Sequence, residues 1–177
     1  MKIGIIIAFK NFKDEEYFQT RKALEKAGYE IETISTKHGQ ASGFDGDQTL
    51  IDKTIDEISI EEYAGLILVG GPGALKYLDN EKMHEFIRKI WQKSDSIIGA
   101  ICIAPVILAH ADCFSDVKMT VWSDALQRWP IKSIEEKGII FVDDPMVIDG
   151  RLITANGPSS VPSFASNIIA MLDKFRR

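Results

Sequence analysis

The chain has 177 residues, 45% of them hydrophobic and 27% charged, with two cysteines and 26 acidic against 21 basic side chains for a net charge of −5. That composition fits one globular domain over residues 1–177 with a full core, and excludes a membrane-embedded or disordered chain. An acidic balance without a Lys/Arg stripe argues against nucleic acid, and apolar runs well short of the roughly 20 residues of a bilayer span argue against a membrane, so a cytoplasmic, reduced protein is expected.

Apolar runs alternate with helix-period segments from end to end, the pattern of a doubly wound, mostly parallel α/β sheet with helices on both faces. In chain order, the first strand is predicted over 2–8 and the first helix over 15–27, stopped by Gly28. A strand follows over 30–35, then a surface loop over 37–47, rich in Gly, Ser, Asp and Gln. Strands over 65–70 and 96–101 flank a helix over 81–93, and the second of them leads into a helix over 105–111. Further strands are read over 117–121 and 139–142, then a small antiparallel hairpin over 146–154 turning on Asp149-Gly150. A last helix over 161–175 follows the start signal Gly157-Pro158-Ser159-Ser160.

Three features carry chemistry. Cys102 stands where a buried strand meets a helix, flanked two positions away by Ala100 and Ala104 with Pro105 in the first turn. Small flanks are what a sharp nucleophile elbow needs, and a thiol there faces the free N–H groups of a helix start, which favour the thiolate. A buried structural cysteine is the alternative from the local pattern alone. The second feature, Gly70-Gly71-Pro72-Gly73, follows a core strand and lets backbone N–H groups approach a ligand in the same crevice, a tight turn being the plainer reading. It matches neither dinucleotide nor P-loop fingerprints. The third is Asp14-Glu15-Glu16 at the first helix start, where the helix dipole accounts for two acids and leaves one to point into the crevice.

In this order, the acidic helix start, Gly70 to Gly73, the elbow from Ala100 to Pro105 and the late Asp149-Gly150 to Gly157-Pro158 block, the chain resembles the ThiJ/PfpI superfamily over nearly its whole length. The resemblance implies the amidotransferase-like α/β fold, Cys102 as nucleophile and Glu16 as the acid that hydrogen-bonds it. It also implies Gly73 and the Ile103 N–H as oxyanion donors, and a homodimer or higher homo-oligomer. Gly71 and Trp122 are expected to line the pocket, and no cofactor or metal is expected.

The chain departs from the family pattern in its histidines. Ile103 stands where peptidase members carry His after the nucleophile, and Trp122 where the deglycase branch has one. His38 is read in a loop, His84 on a helix and His110 on the helix after the elbow, turned away from Cys102. Imidazole is what activates the thiol in a cysteine peptidase or amidotransferase. The favoured expectation is therefore a small-molecule enzyme of glyoxalase, deglycase or isonitrile-hydratase type acting on a small electrophilic metabolite. The alternatives are a redox or stress sensor oxidised at Cys102, and a PfpI-type peptidase. Cys113 is read as a packing residue.

Overall fold

Ile3, Ile5, Ile6 and Ile7 are all fully buried although neighbours on a strand face opposite sides, so the first strand must be covered on both faces. The computed structural model describes residues 1–93 and 95–175; residues 94, 176 and 177 of the domain predicted over 1–177 lie outside the described residues. It begins with β1 (Lys2–Ile6), β2 (Lys10–Phe12) and α1 (Asp14–Lys26), followed by β3 (Glu30–Ser35), β4 (Gln40–Gly43), β5 (Gln48–Leu50) and β6 (Lys53–Thr54). The middle third holds β7 (Tyr63–Leu68), α2 (Pro72–Leu78), α3 (Glu81–Gln92), β8 (Ile97–Ile101) and α4 (Ala104–His110). The rest is β9 (Lys118–Met119), α5 (Trp129–Glu135), β10 (Ile140–Phe141), β11 (Met146–Asp149), β12 (Leu152–Ala155) and α6 (Val161–Phe175).

Among the described residues, seven strands form the central sheet in the order β11-β12-β8-β7-β1-β3-β6. Every pairing in it is parallel except the hairpin of β11 with β12, as the Asp149-Gly150 turn predicts. From β1 the chain crosses to β3 on one side, and from β7 to β8 on the other. The carboxyl ends of the neighbouring strands β1, β7 and β8 therefore meet at a crevice of the kind doubly wound sheets use for ligands.

Two expectations need correction. The strand predicted over 117–121 shrinks to β9 and pairs with β10 in a separate two-stranded sheet. Asp149 takes the Lys118 N–H at 2.8 Å and Thr154 Oγ1 takes the Thr120 N–H at 2.9 Å, so two N–H groups of the run bond side chains instead of a neighbouring strand. The loop predicted over 37–47 contains β4, which joins β2 and β5 in a three-stranded sheet. Its Gly and Ser content reads as loop, yet Ala41 is fully buried and fixes the segment against the domain.

Candidate active site

The elbow is real in its backbone. Cys102 has φ +63°, a left-handed conformation that a non-glycine residue adopts only when its surroundings impose it. Its N–H donates to the Ala155 carbonyl at 2.9 Å, and its own carbonyl accepts the Trp122 N–H at 2.9 Å. The turn leaves no space beside it. A Cβ on Gly70 would sit 2.7 Å from the Cys102 Cβ and 2.8 Å from the Ile101 carbonyl oxygen. Gly71, at φ +106°, lies against the backbone of Phe12 and Lys13, where a Cβ would approach the Lys13 nitrogen to 2.4 Å.

The three acids at the start of α1 have different jobs. Glu15 is exposed and accepts from the Gln19 side chain, as a surface acid on a helix does. Asp14 is buried, and its two carboxylate oxygens accept the N–H groups of Asp45 and Asp47 at 2.8 and 2.9 Å, anchoring the loop that carries Phe44. Glu16 is fully buried and hydrogen-bonded to the Cys102 thiol. Its Oε2 accepts the Gly70 N–H at 3.2 Å, while Oε1 has no hydrogen-bond partner among the described residues.

That environment sets the protonation of the pair. Burial pushes the Glu16 carboxyl up to about 7, against the pull of its hydrogen bonds to the thiol and to Gly70. Burial also raises the Cys102 thiol, and the negative charge on Glu16 raises it further. The N–H groups of Gly71 and Ile103 bond the sulfur and act in the opposite direction. The helix start thus favours the thiolate as expected, but burial and the adjoining carboxylate outweigh it. A thiolate here needs its proton partner to stay protonated.

The sulfur opens into a cavity of about 500 Å³. Phe44, Leu75, Trp122 and Trp129 make its walls apolar, with Lys13 the single cation on the lining among the described residues. Gly71 and Trp122, expected on the pocket, border it, and so does Ile103, expected as an oxyanion donor. Gly73 does not: it lies inside α2, packed so closely on the Lys10 carbonyl that a Cβ would overlap that oxygen. The donor on the sulfur from this loop is Gly71 instead. Lys13, Phe44 and Trp129 were not legible as pocket residues. Phe44 lies in a segment whose composition says surface loop, and no local pattern in the sequence links it to the cysteine.

None of the three histidines borders this cavity. His38 is an exposed partner of Glu57, while His84 and His110 converge on Asp79, with His110 at the far end of α4 from the elbow. Cys113 lies apart from the pocket, its thiol pushed up to about 11 by burial.

A doubly wound α/β fold with a cysteine in a left-handed turn between strand and helix, and an acid from the first helix at its sulfur, defines a recognisable class of protein. The model of the DJ-1/PfpI family matches residues 1–171, and the chain belongs to that family. It is 31% identical over 174 residues to an uncharacterized protein of Methanocaldococcus jannaschii, covering 98% of this chain and 83% of the relative. Its fold is similar to that of a ThiJ/PfpI domain protein from Brachyspira murdochii, with TM-score 0.88, 28% identity, and 98% and 96% of the two chains covered. Schizosaccharomyces pombe DJ-1 shares the fold at TM-score 0.85 and 18% identity, over 99% of this chain and 95% of that one.

Proposed function

We propose that this chain is a cysteine-dependent enzyme acting on a small electrophilic metabolite, with Cys102 as nucleophile and Glu16 as its proton partner. One observation carries the reading: a fully buried carboxyl with a pKa near 7 is hydrogen-bonded to a thiol held in a strained elbow on the floor of a cavity. Within the pair, the microstate with a neutral carboxyl and a thiolate is the reactive one. Attack on an aldehyde carbon forms the C–S bond, the carbonyl electron pair moves to oxygen, and that oxygen takes the Glu16 proton. The resulting carboxylate is then placed to act as a base in the next step. The N–H groups of Gly71 and Ile103, which bond the sulfur, favour the thiolate that begins this step.

The apolar walls favour a compact, weakly polar substrate such as an α-oxoaldehyde or an isonitrile over a peptide. A homo-oligomer is part of the same reading. Turnover assays on methylglyoxal and on isonitriles test it, with activity expected to vanish in Cys102→Ala and to fall about 10²-fold or more in Glu16→Gln. A wild-type chain that turns over none of these compounds while mild peroxide converts Cys102 stoichiometrically to sulfinate would establish the sensor reading instead. What favours that second reading is the absence of any histidine on the cavity lining.

A further inference from the structure

Two of the three histidines meet on one carboxylate, away from the cysteine. Asp79 closes α2, His84 lies in the first turn of α3, and His110 ends α4. His84 Nε2 is 2.7 Å from Asp79 Oδ1, and His110 Nδ1 is 2.8 Å from Asp79 Oδ2. One ligand atom from each of the three lies within 4.8 Å of the others. All three side chains are partly buried, between 14% and 31% exposed, so they are held in place yet reachable from solvent.

We infer that Asp79, His84 and His110 form a binding site for a zinc-class divalent cation. Two imidazoles and a carboxylate are the donor set that suits zinc and its late first-row neighbours, whereas calcium and magnesium prefer all-oxygen shells. Three protein ligands leave the fourth tetrahedral position to water. One of the two rings has the partner that a ligating histidine needs at its other nitrogen: His110 Nε2 is 2.9 Å from Ser133 Oγ on α5.

Metal entry needs no net change in imidazole protonation. The nitrogens facing Asp79 donate to its carboxylate while no cation is bound. On ligation a ring proton moves to the opposite nitrogen, which in His110 faces Ser133. The freed lone pairs and the carboxylate then take the cation.

α4 is about 10 Å long, so the cation would sit a helix length from Cys102 and act as a clamp on α2, α3 and α4, with no part in the thiol chemistry. Titration of the full chain with zinc chloride, read by calorimetry and by thermal unfolding, tests this. We expect one ion per chain, and an unfolding midpoint raised by about 5–10 °C at zinc on the order of 100 times Kd. Cys102→Ala should bind zinc as the wild type does. His84→Gln with His110→Gln should abolish binding, as should Asp79→Asn if the double variant is poorly folded by circular dichroism. Ser133→Ala should weaken binding about 10-fold. The inference is overturned if the wild type takes up no stoichiometric zinc, if uptake survives in both the double variant and Asp79→Asn, or if it disappears in Cys102→Ala.

Discussion

Glu16 and Cys102 hold one proton between them near neutrality, and this fixes how the thiol should respond to pH. Once the first of the two protons has left, the ratio of the two singly ionised microstates no longer depends on pH. Alkylation of Cys102 by iodoacetamide should therefore rise as the pair loses its first proton near pH 7, level off, and rise again only in strong alkali. Glu16→Gln removes the neighbouring charge, so a single rise is expected, at lower pH than the second step of the wild type. The rate at the Cys102 peptide, followed by mass spectrometry, checks both curves. Cys113 serves as an internal control, since burial keeps its thiol protonated to about pH 11. A wild-type profile identical to that of Glu16→Gln would disprove the coupling.

At the scale of elements, the loop carrying Phe44 depends on Asp14 at the start of α1. Asp14→Ala leaves the N–H groups of Asp45 and Asp47 without their charged acceptor, a loss of about 2 kcal/mol per bond at most. Amide exchange at 44–47 should speed up, and substrate KM should rise with kcat less affected, because a cavity wall loosens while the sulfur keeps its donors. Gly70→Ala strikes the elbow itself. Its new methyl meets the Cys102 Cβ and two backbone atoms that cannot yield without opening the elbow, so a destabilisation of about 1–3 kcal/mol is expected in denaturant titration. The strands and helices that build this frame were legible because their signals are local: apolar runs, helix periodicity, Gly28, Asp149-Gly150 and Pro158. The junction at Cys102 was legible for the same reason, through Ala100, Ala104 and Pro105. The opposite protonation bias of the site was not, because it arises from desolvation by residues far apart in the chain. The roles of Asp14, Phe44 and Trp129 likewise depend on tertiary approach, as does the meeting of His84 with His110.

For the molecule as a whole, no helix among the described residues is long and apolar enough to cross a membrane. Its folding stability should carry the mark of one buried acid. The Glu16 carboxyl is raised from 4.5 to about 7, so between those values the folded chain binds more protons than the unfolded one. The stabilisation from this group is complete below pH 4.5 and is lost as pH rises through 7, a difference of about 3 kcal/mol. Urea titrations at pH 5 and pH 8 should show that loss in the wild type and not in Glu16→Gln. The difference between the two proteins isolates Glu16 from surface acids such as Glu57, whose carboxyl is lowered to about 2 and which acts only in stronger acid.

The left-handed backbone of Cys102 also means that selection for activity and selection for durability pull against each other at this one residue. Glycine enters that conformation without the steric penalty of a side chain, a relief of about 1 kcal/mol. Cys102→Gly should therefore outlast Cys102→Ala on heating while sharing its loss of thiol chemistry.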